Sequence, residues 1–377
     1  MIKVLFLIHD LSHGGAEKVL VNLVNNMDFN KFDITVMTLF DYGINKDYLD
    51  KRVHYKSWKK RVIRGNSHFM KILNPKQLYK MIVKDNYDIE ISFLEGPCAR
   101  VISGSTNKNA KKIAWIHTQF SDKKMAMQSF RSFSEAQICY NNFDKIVCVS
   151  ESSKHSFENI YRLSIPVEVY YNTNDTEKIL KLSKEFLEDC SSFKDEKFNI
   201  ICLGKIIENK GFDRMIRVVS KLIQSGYNVQ LYILGTGNQK ESLEKLCEKL
   251  GVKKYISFLG YQTNPYKYLV RSDLYVCSSY REGFSTAATE ALIVGTPVCT
   301  VNVSGMKEML GNENEYGVIV DNDEESLFVG IKNLIDDKKK YLYYKNISAL
   351  RGKDFTTEKT VSKIENMLFE IVGDRND

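Results

Sequence analysis

Glu282 and Glu290 stand on either side of a Gly283-Phe284-Ser285-Thr286 turn, with seven residues between them. The apolar run Leu274-Tyr-Val-Cys277 before the turn reads as a buried strand. The stretch from Thr286 to Val294 after it, rich in Ala, Glu and Leu and ended by Gly295-Thr296-Pro297, reads as a helix. Glu282 then lies in a loop at the carboxyl end of a strand, and Glu290 in the first turns of the next helix. Between them the backbone N–H groups near Ser285 and Thr286 leave a helix N-terminus, which suits an anion. A phosphate there, with one carboxylate for a ribose and one for a sugar, is the chemistry this spacing offers. The same spacing also fits a plain strand–turn–helix with a charged cap, and the spacing by itself does not choose between them.

Other polar groups also follow strand-like runs. Gly14-Gly15 comes after Ile2–Ile8 and before a helical stretch, Ala16–Asn26, so bare backbone can approach an oxyanion there. His117 ends Lys112–Ile116. Lys205 and Lys210 follow Asn199–Leu203, and Gly235 and Gly237 follow Val229–Leu234. Each has a duller reading alone: a helix-cap glycine pair, a structural histidine, a surface lysine, a turn. Together they are informative, because ligands of open α/β sheets bind outside the carboxyl ends of the strands.

The elements that must hold these residues alternate along the chain. Further strands are expected at Asp33–Leu39, Ile89–Phe93, Lys145–Val149, Ile256–Leu259 and Pro297–Thr300, with helical patterns between them. This is the pattern of mostly parallel sheets covered on both faces, an α/β fold. A chain of 377 residues fits two domains. We place the first at 1–175, a connection at 176–197, the second at 198–355, and a final helix at 356–377. No internal repeat is visible.

Composition narrows the function classes. No apolar run reaches the roughly 20 residues of a membrane span, and Met1–Ile8 lacks a signal-peptide layout. The eight cysteines show no metal-ligand spacing, so a reducing cytoplasm is expected. The net charge of +7 resides in residues 1–175, which hold 25 Lys plus Arg against 18 Asp plus Glu. Residues 51–84 carry 11 basic residues and no acidic one, interleaved with Trp58, Val62, Ile63, Phe69, Met70, Ile72 and Leu73. Such a stretch suits an anionic membrane surface; a solvated surface helix or loop is the alternative. No nucleic-acid motif accompanies the charge.

The run Tyr280-Arg-Glu-Gly-Phe-Ser-Thr-Ala-Ala-Thr-Glu-Ala-Leu292, preceded by Ile256-Ser-Phe-Leu-Gly-Tyr261 and Asn264-Pro-Tyr-Lys-Tyr-Leu269, resembles the retaining glycosyltransferases of glycosyltransferase family 4. The resemblance continues at Leu203-Gly-Lys205, Asn209-Lys-Gly211 and Leu234-Gly-Thr-Gly237. In the first half it covers Gly14-Gly15-Ala16-Glu17, Trp115-Ile-His117 and Val149-Ser-Glu-Ser152. It implies the GT-B fold: two Rossmann-like domains with parallel sheets facing across a cleft, and a C-terminal helix returning to the N-terminal domain.

The resemblance also implies roles. Lys205 and Lys210 are expected to neutralise the donor diphosphate, helped by backbone N–H groups at Gly15, Ser285 and Thr286. Glu290 is expected to accept the ribose hydroxyls, Glu282 to hold the transferred sugar as positive charge develops, and His117 to contact that sugar. Gly14, Gly235, Tyr261, Gly283 and Phe284 complete the expected donor site. No cofactor or divalent metal is expected, because lysines and helix N-termini can carry the diphosphate charge. The implied partners are a nucleotide sugar, UDP-linked, and a lipid-linked saccharide at the inner face of a bacterial membrane, within surface-polysaccharide synthesis. Position 205 is lysine where many relatives have arginine, so bidentate phosphate recognition is lost there. A nucleotide-sugar epimerase of similar architecture and an inactive subunit of a transferase complex remain the alternatives.

Overall fold

The computed structural model describes residues 1–12, 14–61, 70–187, 193 and 196–373. They form two compact units. One comprises Met1–Thr173 with Thr357–Asp377, the other Asn174–Thr356.

Seven parallel strands make the sheet of the first unit: β1 (Ile2–Ile8), β2 (Phe32–Phe40), β3 (His54–Lys59), β4 (Ile89–Ser92), β5 (Lys111–Ile116), β6 (Lys145–Cys148) and β7 (Val167–Val169). Their order is β3-β2-β1-β4-β5-β6-β7. The direction of winding reverses between β1 and β4, which pair from Val4↔Ile89 to Leu7↔Ser92. Helices cover both faces, so the central strands are apolar on both sides; Val4 to Ile8 are all fully buried. The N-terminal helix α1 (Gly15–Asn26) buries Val19, Leu20, Val21, Leu23 and Val24. The C-terminal helix (Thr357–Gly373) belongs to this unit and lies against α1. Phe369 meets Phe32 at 4.9 Å between ring centroids, and Glu365 Oε1 accepts from the Asp28 N–H at 2.6 Å.

The second unit has six parallel strands: β8 (Phe198–Leu203), β9 (Val229–Leu234), β10 (Ile256–Gly260), β11 (Leu274–Cys277), β12 (Val298–Val301) and β13 (Val318–Val320). The order β10-β9-β8-β11-β12-β13 puts its reversal between β8 and β11. Three of its helices matter below: α2 (Thr176–Ser183), α3 (Phe212–Gln224) and α4 (Thr286–Ile293). α2 lies in the segment read from sequence as a connection, yet it packs within this unit against the turn Tyr266–Leu269 and against α4. Asn264 fastens that contact, its Nδ2 donating to Leu182 O at 2.9 Å and Glu185 Oε2 at 2.8 Å.

Where it is described, the basic segment holds a strand and a short helix, Pro75–Ile82, on which Lys76 and Lys80 are exposed. It begins as an edge strand, β3, paired with β2 from Thr35↔His54 to Phe40↔Lys59. Lysines on an edge strand discourage further strand pairing, so the charge there has a structural use. Trp58 and Leu73 are half-buried against the core of the first unit, and Met70 is buried in it. Ile72 is 71% exposed. Val62, Ile63, Arg64 and Phe69 lie outside the described residues.

Candidate functional site

In the second unit the expected residues gather at the carboxyl ends of β8, β9 and β11, the reversal point of the sheet, where an open α/β fold leaves a crevice. Gly204 and Gly235 open the loops after β8 and β9 with φ of +151° and +142°, a region side chains disfavour. A Cβ on Gly235 would lie 1.9 Å from Gly204 O, so the two loops touch backbone to backbone. The Ile206 N–H donates to Thr236 O at 2.8 Å and fixes that contact. Lys205 projects from it, exposed.

Lys210 ends a single turn, Glu208–Lys210, and its chain runs past Gly204, where a Cβ would lie 3.5 Å from Lys210 Cε. Its Nζ reaches Glu282 Oε1 at 2.6 Å. The same oxygen accepts from Ser279 Oγ at 2.6 Å. Burial works to lower the pKa of Lys210; Glu282 more than offsets this, by charge and hydrogen bond, and holds the ammonium above its ordinary value. The pair is therefore charged and mostly shielded, with Lys210 25% and Glu282 10% exposed. A partly buried ion pair costs desolvation on both sides, and removing one member strands the other.

Three residues past Glu282, Ser285 caps α4, its Oγ accepting from the Ala288 N–H at 3.3 Å. The remaining first-turn N–H groups, from Thr286 onward, keep the positive end of the helix. Glu290 lies one turn along and is buried at 3% exposure, with the Tyr266 hydroxyl 3.4 Å from its Oε1. Ser304 Oγ donates to Gly283 O at 2.8 Å, and Phe284 is buried against Phe355. Tyr261 follows β10 and is 46% exposed.

In the first unit His117 follows β5. Its N–H donates to Glu95 Oε2 at 2.9 Å, and its ring packs against Phe93 with centroids 4.8 Å apart. Nε2 is buried without a hydrogen-bond partner among the described residues. Burial pushes the pKa down to about 3, so the imidazole is neutral. Gly14 caps α1 and Gly15 begins it, but the space above Gly14 is taken. A Cβ on Gly14 would fall 1.7 Å from Glu17 Oε2, and Ser12 Oγ donates to Glu17 Oε1 at 3.2 Å. The helix N-terminus has thus drawn its own carboxylate, and an incoming oxyanion has to displace Glu17.

Sequence reasoning missed Ser279, Tyr266 and Glu95, which hold expected site residues. A Ser-Ser pair between strand and glutamate was the one local signal. The others are joined to their partners only by the fold.

The description "Glycosyltransferase Family 4" matches residues 13–178, and "Glycosyl transferases group 1" matches residues 183–350. The chain is 28% identical over 355 residues to the N-acetylgalactosamine-N,N'-diacetylbacillosaminyl-diphospho-undecaprenol 4-alpha-N-acetylgalactosaminyltransferase of Campylobacter jejuni, covering 92% of this chain and 94% of that protein. It is 22% identical over 330 residues to the lipopolysaccharide core biosynthesis glycosyltransferase LpsD of Rhizobium meliloti, covering 88% and 87%. The crystal structure of Anabaena Alr3699/HepE in complex with UDP and glucose superposes with a TM-score of 0.78 at 18% identity, over 98% of this chain and 99% of that one. That likeness extends through both parallel sheets. By its two matched halves and its fold, the chain belongs to the family 4 glycosyltransferases of GT-B architecture.

Proposed function

We propose that this glycosyltransferase moves a hexose or N-acetylhexosamine from a UDP-linked sugar to a lipid-linked saccharide in bacterial surface-polysaccharide synthesis, with retention of configuration and without a divalent metal. The observation that carries the reading is the Lys210–Glu282 pair beside the N-terminus of α4. A diphosphate entering there competes with Glu282 for the ammonium. Lys210 and the exposed Lys205 then face the leaving phosphates, with the first N–H groups of α4 adding partial positive charge. Glu282, released from Lys210 and still held by Ser279, is free to take the hydroxyls of the transferred sugar and the positive charge that develops on it. Glu290 takes the ribose hydroxyls. His117 offers the sugar a neutral ring nitrogen. In the same-face displacement usual for the family, the anomeric C–O bond to phosphate breaks as the acceptor oxygen bonds. The departing phosphate takes the acceptor proton.

The Campylobacter relative, named for a diphospho-undecaprenol acceptor, and the lipopolysaccharide relative support the acceptor class. Among the described residues no helix is long and apolar enough to cross a membrane. Attachment at the inner face would then be peripheral, through the basic segment 51–84. Lys59, Lys60, Arg61 and Arg64 changed together to Glu are expected to lower co-sedimentation with anionic vesicles, an effect that salt screens. Equal sedimentation of both proteins would leave the segment as an edge strand and solvated face only.

An Asp-x-Asp triplet, a common metal-holding pattern, is present at Asp321-Asn322-Asp323. There Asp323 accepts from the Ser326 N–H at 2.8 Å as a helix cap, and Asn322 accepts from Arg214 at 2.8 Å. Activity is therefore expected to persist in chelator; abolition restored by manganese would overturn the metal-free mechanism. The test of the whole reading is a nucleotide-sugar screen for nucleoside diphosphate release, with and without a lipid-diphosphate saccharide. Release that depends on acceptor supports transfer, whereas isomerised donor without acceptor, or no turnover of any donor, would sink it.

A further inference from the structure

Four residues past Lys210, Arg214 occupies the first turn of α3 and is 2% exposed. Electrostatics argue against a cation there, because the positive end of the helix dipole repels it. Its hydrogen bonding is also incomplete. Nη1 donates to Asn322 Oδ1 at 2.8 Å, while Nε and Nη2 have no partner among the described residues. The adjacent carboxylate, Asp213, is engaged by Arg217 at 2.9 Å and by the Tyr280 hydroxyl at 3.0 Å. Replacing such a charge by an apolar side chain of like length is commonly neutral or stabilising. Stability alone gives no reason for arginine here.

The guanidinium does have the face of Tyr280, whose ring centroid lies 4.3 Å from Cζ. Tyr280, though 39% exposed, is tied at three further points. Its hydroxyl bonds Asp213, its N–H donates to Asn209 O at 2.9 Å, and its carbonyl accepts from Asn322 Nδ2 at 3.3 Å. Asn209 Nδ2 in turn donates to Arg281 O at 3.0 Å, and Ser278 Oγ to Lys210 O at 3.1 Å. The loop Ser278–Glu282 is thereby stitched to the turn Glu208–Lys210. Asn209 immediately precedes Lys210, and Tyr280 stands two residues before Glu282. A shift of Tyr280 moves one member of the ion pair against the other.

We infer that Arg214 is a positioning residue for Glu282: its stacking on Tyr280 fixes the loop of the carboxylate against the turn of the ammonium, and so sets where both meet the donor. This rests on the role proposed for the pair. On that reading donor affinity draws also on the N-terminus of α4, Glu290 and Lys205, beyond the pair that Arg214 positions. The effect therefore falls on turnover more than on donor binding.

The test compares Arg214→Met, Arg214→Lys, Tyr280→Leu, the Met/Leu double variant and Glu282→Gln, each by thermal melt and donor kinetics. Arg214→Met is expected to melt at or above the wild-type temperature while kcat falls on the order of tenfold, with the donor KM within about twofold. Arg214→Lys restores part of kcat because an ammonium can still lie over the ring. The double variant is no slower than Tyr280→Leu, as expected if both changes break one contact. A slow Glu282→Gln beside a wild-type kcat in Arg214→Met overturns the positioning role alone. Losses that multiply in the double variant do the same. A fast Glu282→Gln overturns the reading of the pair and this role with it. If Arg214→Met does not fold, Tyr280→Leu and Arg214→Lys decide by the same kcat comparison.

Discussion

Lys210 and Glu282 in the second unit are shielded together as opposite charges 2.6 Å apart, whereas in the first the half-buried His117, with its Nε2 shut from solvent, and the fully buried Glu90 form no ion pair among the described residues. The consequences run in opposite directions. Pairing raises the pKa of Lys210 despite its burial, and the site keeps a full charge for a charged ligand. Without an ion pair, burial holds His117 in its neutral form and raises the pKa of Glu90 above the ordinary carboxylate value, the charge of Lys112 offsetting only part of the rise. Ionisation in a protein interior therefore depends less on depth than on what lies within hydrogen-bond reach. A site built for a diphosphate needs the first arrangement, and a contact to an uncharged sugar is compatible with the second.

The largest effect expected from breaking this contrast comes at the pair. Lys210→Ala removes the cation that faces the leaving diphosphate and is expected to raise the barrier to turnover by at least ~2 kcal/mol. The fold is expected to survive, because Lys210 lies on a loop and Glu282 keeps Ser279. Single-turnover rates on folded protein check this, and an unchanged rate would remove Lys210 from the mechanism.

Where the sequence succeeded, periodicity and strand-end position were enough. β1, β9 and β11 begin and end where the apolar runs do, and Glu282 and Glu290 fall in the loop and helix assigned to them. Its failures have separate physical causes. β7 and β13 are three residues long, too short to show a period, and β3 is an edge strand whose lysines read as surface. Met70 sits in a basic stretch yet is buried, its carbonyl taken by the buried Arg100. The contacts of Arg214 with Tyr280, Ser279 with Glu282, and Glu17 with the start of α1 exist only once the chain has folded or turned. No spacing rule announces them.

A second test concerns acid. In the unfolded chain His117 takes up a proton below about pH 6.5, but in the folded protein only near pH 3. Its linkage to stability is therefore neutral above pH 6.5, turns unfavourable as the pH falls, and levels off near 3. The ceiling is about 2 kcal/mol between pH 7 and pH 5. His117→Asn should flatten that part of the acid-denaturation curve. Equal slopes for the two proteins would show that the imidazole is already charged in the fold.

The smallest effect, and the sharpest on sign, belongs to Glu90 on β4. Its side chain is fully buried, with Oε1 accepting from the Tyr79 hydroxyl at 2.6 Å and Oε2 unpartnered among the described residues. Burial raises its pKa, and the hydrogen bond from Tyr79 works against that rise. The folded protein therefore holds this proton to higher pH than the unfolded chain, whose value is 4.5. The linkage costs nothing below 4.5, and stability is lost as the pH rises from there through the folded value. Glu90→Gln keeps an oxygen for Tyr79 and removes the charge. It is expected to be more stable than wild type in urea unfolding at pH 8 and unchanged at pH 4. The gain would grow with pH, where the His117→Asn gain grows as pH falls. A Glu90→Gln protein less stable than wild type at pH 8 would mean that the carboxylate has a cationic partner, with Lys112 on the neighbouring strand β5 the first to examine.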